Sequence, residues 1–297
     1  MVISKAMAKD PDERFQTAVS LANALQGALG QTAVSTTTTS QMQPLATAVS
    51  TLSGPATPVL SPNFDTPTTC PYRGLFAFRE KDADNFFGRE TFSQRLLDTV
   101  ARQRLLAIVG ASGSGKSSVV FAGLVAKLRQ NRDWHIITFR PGSQPFHALA
   151  AALVAHQKPA LEKEAQHKAT SELATKLRYK KELLSELRKI LDQHKPAKQL
   201  LIVSDQFEEI YTLCNDQSMR RAFLDLLLEA IDIAHFRNWP YFSLVLTLRT
   251  DFLSQALTHR PFADALQNAD MKLGPMTRRE LSQAIASPAR RYGLLFE

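Results

Sequence analysis

The chain has 297 residues, enough for two domains and at least one sizeable core, and its 44% hydrophobic content is ordinary for a globular protein. Two distant cysteines, Cys70 and Cys214, argue against a disulfide scaffold or a zinc site, and no apolar run reaches the roughly 18 residues of a membrane span. The net charge is +8; residues 1–69 hold three Lys/Arg and four Asp/Glu, so an excess of +9 falls on residues 70–297. That excess fits either a nucleic-acid surface or a phosphate site with solvated helix faces; no basic patch interleaved with aromatics appears, so nucleic acid is the less favoured partner.

Residues 1–28 open the chain with Asp10-Pro11-Asp12-Glu13, a helix start with an Asp N-cap, Pro at N1 and Glu at N3. Phe15, Val19, Leu21, Ala22 and Leu25 follow as an apolar stripe. The run Ser4 to Gln16, with Arg14, resembles the last helices of the C-lobe of bacterial Ser/Thr protein kinases. The resemblance implies a short α-helical kinase remnant. No kinase Gly-rich loop or catalytic Asp precedes it, so kinase activity is not expected here. Residues 29–69 are rich in Thr, Ser, Ala, Pro and Gln and read as a disordered linker.

Residues 70–297 read as one α/β domain. Phe86-Phe87-Gly88-Arg89-Glu90 precedes a helix carrying Phe92, Leu96, Leu97 and Val100 on one face; the two aromatics suit either a structural turn or a place beside a nucleotide base. Leu105 to Val109 is a short apolar run suited to a buried strand. It runs into Gly110-Ala111-Ser112-Gly113-Ser114-Gly115-Lys116-Ser117-Ser118, which fits the phosphate-loop pattern G-x-x-x-x-G-K-[ST]. Glycines let several N–H groups converge on one anion, and the following helix N-terminus adds about 0.3–1 kcal/mol per exposed anion. Lys116 is placed for β- and γ-phosphates and Ser117 for Mg²⁺.

Trp134 to Phe139 reads as a second strand with Arg140-Pro141-Gly142-Ser143 as its exit turn, and Pro145 to Val154 as a helix. Residues 161–194 read as helical, with Leu173, Leu177, Leu184, Leu187 and Leu191 on one stripe and Lys176, Arg178, Lys180 and Lys181 outward. Leu200 to Val203 is another buried strand that ends at Asp205, the carboxylate placed to hold Mg²⁺. Glu208 and Glu209 follow, and either could polarise an attacking water. A helix over Met219 to Phe236 and a strand over Tyr241 to Leu248 come next. Arg249 at that strand's end suits either a γ-phosphate sensor or a structural pair with Asp251. Leu273-Gly-Pro-Met276 follows a helical segment, and Thr277-Arg-Arg-Glu280 is a capping box for the last helix.

One strand between the phosphate-loop strand and the Asp205 strand, and a further strand after it, suit the additional-strand division of P-loop NTPases. The guanine-reading pattern Asn/Thr-Lys-x-Asp does not occur, which favours ATP over GTP. Cys70-Pro-Tyr-Arg-Gly-Leu75, Phe86 to Glu90, Gly110 to Ser118, Arg140-Pro-Gly142, Asp205-Gln-Phe-Glu-Glu209, Leu248-Arg-Thr-Asp251 and Gly274-Pro-Met276 occur in this order. Together they resemble the novel STAND NTPases of bacteria. The resemblance implies a three-layer, AAA-like sandwich around a mostly parallel sheet. It implies that Gly88, Arg89 and Glu90 join Gly110–Ser118 in nucleotide binding, that Ser117 and Asp205 hold Mg²⁺, and that Glu208 or Glu209 and Arg249 serve catalysis. It further implies a cytoplasmic ATP/ADP switch with weak hydrolysis that self-associates or binds protein partners. Such modules lie between a kinase and WD-type repeats, so the chain reads as truncated at both ends. The alternatives are an ATPase stimulated by nucleic acid and a non-catalytic scaffold fragment.

Overall fold

The computed structural model describes residues 70–194, 197–236 and 242–293. The chain divides into two units, Met1–Asn63 and Phe64–Glu297, and every described residue belongs to the second. The expected kinase remnant and linker lie outside the described residues.

After a 3-10 turn at Glu80–Asn85 come α1 (Glu90–Val100), β1 (Leu105–Gly110) and the helix α2. Helix α2 starts as Lys116–Ser118, passes through a π-helical stretch Val119–Val125 and ends as Ala126–Gln130. Then follow β2 (Trp134–Phe139), α3 (Pro145–Gln157), α4 (Lys163–Lys180), α5 (Leu183–Gln193) and β3 (Gln199–Ser204). The last elements are α6 (Glu209–Thr212), α7 (Gln217–Phe236), β4 (Phe242–Arg249), α8 (Leu253–Ala256), α9 (Arg260–Leu266), β5 (Asp270–Lys272) and α10 (Arg278–Arg291).

The five strands pair in the order β2-β3-β4-β1-β5, every pair parallel. Parallel strands need helical crossovers that cover both faces, so their strands read as continuous apolar runs. Alternation then divides each run between two cores. Leu105, Ala107 and Val109 of β1 face one cluster with Leu149, Leu177, Leu187 and Phe223 from α3, α4, α5 and α7. Leu106 and Ile108 face the other, with Leu96 of α1 and Val120 and Leu124 of α2. The result is the three-layer α/β sandwich.

Two local readings need correction. The helical stretch 161–194 is two helices, broken where Lys181 takes a left-handed φ of 52°. The break resets the buried stripe, so Leu183 is fully buried while Leu184 only packs partly against the core. The segment before Leu273 contains β5, a three-residue edge strand, Asp270-Met-Lys272, whose charged composition hides it. Among the described residues no helix is long and apolar enough to cross a membrane.

Candidate functional site at the C-terminal edge of the sheet

Register brings the carboxyl ends of four strands to one edge: Gly110 of β1 pairs with Arg249 of β4, Ser204 of β3 with Leu246 of β4, and Phe139 of β2 with Ser204. Ligands of open parallel sheets gather outside these ends. The Gly110–Ser117 loop leaves β1 here, with Gly113 at φ 73° and Gly115 at φ 91°. Both values are left-handed, a conformation other residues adopt at a cost of about 1–2 kcal/mol each. Gly110 is fixed for another reason: a Cβ there would stand 2.8 Å from the Leu273 carbonyl oxygen.

Lys116 is buried, at 8% exposure, and its Nζ donates to the carbonyls of Gly110 (2.9 Å) and Ala111 (2.8 Å). Burial lowers its pKa, while the negative charges of Glu208 and Asp205 act the other way. The loop thus satisfies its own ammonium with two carbonyl oxygens.

Asp205 is 1% exposed, and a carboxylate so buried must be fully partnered. Its Oδ1 accepts from Ser117 Oγ (2.7 Å) and Thr247 Oγ1 (2.9 Å), and its Oδ2 from Arg140 Nη2 (3.2 Å). Thr247 also accepts from the Gln206 N–H (2.7 Å), which steadies the left-handed turn at Gln206, φ 56°. Ser117 and Asp205, expected at one metal, are therefore in direct contact. One hydroxyl and one carboxylate are a donor set that suits Mg²⁺, which keeps several waters and takes few protein ligands. Among the described residues no group of three His, Cys, Asp or Glu could cage a metal by itself.

The two glutamates separate. Glu209 Oε2 accepts from the Gly142 N–H (3.0 Å), bracing the exit turn of β2. Glu208 is half-buried, with Oε2 out of solvent and unpartnered among the described residues. Burial raises its pKa, opposed in part by Lys116 and Arg249. Arg249 lies at the exposed rim, in a two-pronged pair with Asp251 at 3.1 and 2.6 Å, its guanidinium 5.4 Å from the Phe252 ring centre.

Other expected site residues lie apart from this network. Arg89 is buried, donates to the Gly274 carbonyl (2.7 Å) and stands 4.0 Å from Glu280. Glu90 accepts from the Gly88 N–H (2.9 Å), and Gly88 meets α10 so closely that a Cβ would overlap the Glu280 carbonyl oxygen. The Arg89 contacts and the close approach of Gly88 fasten α1 and its lead-in to the Gly274 turn and α10. Ser118 accepts from the Phe78 N–H (3.1 Å), and Phe86 packs on Phe78 at 5.6 Å between ring centres. Arg140 and Thr247 were not singled out as site residues. A basic residue ending β2 is a weak signal, and a threonine within Leu-Val-Leu-Thr-Leu reads as strand filler.

Comparison with curated proteins returns no match. Among solved structures, similarity extends to a chain of an E. coli MS115-1 HORMA:CdnC:Trip13 complex (12% identity, TM-score 0.42, covering 73% of each chain). It extends also to Aeropyrum pernix ORC2 in ADPNP-ADP complexes (13%, TM-score 0.46, 68% of this chain and 52% of that one). A third is Drosophila ORC bound to poly(dA/dT) DNA and Cdc6 (15%, TM-score 0.38, 71% and 32%). The chain thus spans about half and a third of the length of the last two. Residues 71–297 match the family model described as Novel STAND NTPase 1, and the chain belongs to that family of NTPases.

Proposed function

We propose that this chain binds ATP and ADP at the Gly110–Ser117 loop and hydrolyses ATP slowly, as a switch whose bound nucleotide sets its conformation and self-association. The observation that carries the reading is the convergence at one sheet edge of the glycine loop, the Lys116 ammonium, the Ser117–Asp205 pair and Glu208, half-buried with one carboxylate oxygen unpartnered among the described residues. Backbone N–H groups of the loop and the N-terminus of α2 would take the phosphates. Lys116, held by two carbonyls of its own loop, would exchange them for phosphate oxygens. Ser117 and Asp205 would hold Mg²⁺, which when bound neutralises charge on the phosphates.

Glu208 is the better general base, because Glu209 is occupied by Gly142 while Glu208 has a free oxygen and a pKa raised by burial. Arg249 would meet the terminal phosphate by leaving Asp251, an exposed surface pair that solvent screens and that breaks cheaply. Arg140 holds Asp205 Oδ2 at 3.2 Å and orients the carboxylate. A nucleotide can bias conformation only by its difference in affinity between states, and Arg140, Arg249 and Lys116 are cations whose partners would change with the phosphate bound.

ATP is favoured over GTP by the lack of a guanine-reading motif in the sequence. Residues 1–28 as a kinase C-lobe tail and 29–69 as a linker are part of the same proposal, supported by the motif at Asp10–Arg14 and the composition after it.

Chromatography of what the purified chain releases on denaturation tests the reading. Stoichiometric ADP is expected from the native sequence and none from Lys116→Ala. Guanine nucleotide, or equal ADP from both proteins, overturns it.

A further inference from the structure

A carboxylate offers about four lone-pair positions, two on each oxygen. On Asp205 Oδ1 both are taken, by the Ser117 and Thr247 hydroxyls at 2.7 and 2.9 Å. Ser117 spends its proton in that bond, and its oxygen keeps lone pairs for a metal. Oδ2 accepts one donor among the described residues, and that donor is a full positive charge, the Arg140 guanidinium at 3.2 Å. The Lys116 charge also bears on Asp205, but its Nζ donates to the Gly110 and Ala111 carbonyls instead. Arg140 is therefore the cation in contact with the oxygen that has room for more.

The two partners differ in freedom. The Asp205 side chain is 1% exposed and that of Arg140 is 45% exposed. The backbone on either side of Arg140 is held independently of its side chain: the Asp205 N–H donates to the Phe139 carbonyl (3.0 Å), and the Gly142 N–H to Glu209 Oε2 (3.0 Å). The guanidinium can thus leave Oδ2 for solvent while the turn it springs from stays in place. Ser117 and Thr247 would keep the carboxylate oriented through Oδ1 when it does.

We infer that Arg140 is a positioning residue that competes with Mg²⁺ for Asp205, a role that rests on the metal site proposed at Ser117 and Asp205. A bound divalent cation is the largest local charge in such a site, and a guanidinium on the same carboxylate repels it. Arg140 therefore weakens metal binding and yields Oδ2 when the metal is held. The same guanidinium supports the carboxylate when no metal does, because a buried anion without a counter-ion is destabilising. Metal loading and the Arg140–Asp205 pair are then two sides of one equilibrium. The switch gains a defined difference between its forms: a metal-loaded site has a released arginine at the sheet edge, and a site without metal has a paired one.

The test is calorimetric titration of Mg²⁺ into the full chain saturated with ADP, with the melting temperature recorded before and after. Arg140→Gln keeps a hydrogen-bond donor and removes the charge. It is expected to bind Mg²⁺ at least threefold more tightly than the native chain, to melt lower without the metal and to gain more from it. Arg140→Lys, which restores the charge, should return the Mg²⁺ affinity to within twofold of native. An arginine that does no more than orient the carboxylate gives the opposite sign, weaker Mg²⁺ binding in Arg140→Gln. That result, or equal affinity in the two proteins, overturns the competition and leaves the metal site standing. Failure of Arg140→Gln to fold even when purified with ADP–Mg²⁺ would make Arg140 a structural residue and overturn the competition too. Absence of Mg²⁺ binding by the ADP-loaded native chain would overturn the metal site at Ser117 and Asp205 itself, and the inference falls with it.

Discussion

Glu208 and Glu209 are adjacent in sequence, yet the backbone gives them different work. Glu209 begins α6 and reaches back to the β2 exit turn, where one N–H accounts for it. Glu208 sits in a half-buried position, electrostatically coupled to Lys116 and Arg249, with one oxygen unpartnered. Removing a general base costs about 10²–10⁴ in rate, whereas loosening a turn costs far less. Glu208→Gln should therefore lower single-turnover hydrolysis at least a hundredfold while nucleotide affinity, by calorimetry, stays within a few-fold. Glu209→Gln should lose less than tenfold. The native rate should also fall as acid protonates Glu208 through a pKa above the usual carboxylate range. If Glu209→Gln is the slower enzyme, the assignment is reversed.

At the scale of elements, the strands that fill the centre of the sheet are readable because each is buried on both faces: Leu105–Val109 and Leu200–Val203 are apolar throughout, and Phe242–Leu248 is apolar but for Ser243 and Thr247. β5 is not readable, since Asp270 and Lys272 flank its one buried residue, Met271. The break at Lys181 is equally silent, because a lysine carries no turn signal. The π-helical stretch of α2 also has no signature, as every residue from Val119 to Val125 is apolar or glycine and buried. What the sequence hides at the site is mutual placement. Asp205 and Ser117 are visible by motif, but that Thr247 and Arg140 complete the carboxylate's partners depends on the strand order.

The same packing sets a pH response at the opposite end of β2. His135 (β2), His156 (α3) and His194 (after α5) meet there: the His135 and His156 rings are 4.9 Å apart with Nε2 and Nδ1 at 3.1 Å, and His194 lies 4.0 Å from His135. The charged Arg129 of α2 also bears on them. Burial, then the neighbouring imidazoles, lowers His135 from 6.5 to about 4, and burial lowers His156 as well. The folded state therefore holds the His135 and His156 rings neutral while the unfolded chain takes up protons first. Stability should be full above pH 6.5 and fall as pH drops from 6.5 toward 4, by something on the order of 2 kcal/mol. Urea unfolding across that range should show the loss, and His135→Gln should flatten it. A native profile flat from pH 7 to 5 would contradict the neutral His135 and His156.

For the whole molecule the question is what the excess positive charge on residues 70–297 does. A duplex-binding surface needs cations free to neutralise phosphates, and its affinity then falls steeply with salt. Here many are spent locally: Arg129 on Glu80, Arg140 on Asp205, Lys181 on Glu229, Arg249 on Asp251, Arg260 on Asp264 and Arg291 on Asp84. Others stand on α4, where Lys176 and Lys180 are exposed beside a single exposed aromatic, Tyr179, whose ring already has the Arg178 guanidinium 5.5 Å from its centre. Lys116, Arg140 and Arg249 lie at the sheet edge, around the Gly110–Ser117 loop, where a single small anion rather than a long polymer would reach them. ATP hydrolysis should accordingly be unchanged, within twofold, by added single-stranded or double-stranded DNA or by RNA at 50 mM salt, a condition that exaggerates electrostatic binding. Several-fold stimulation that disappears by about 200 mM salt would instead make this a polynucleotide-driven ATPase and would move the working surface away from the sheet edge.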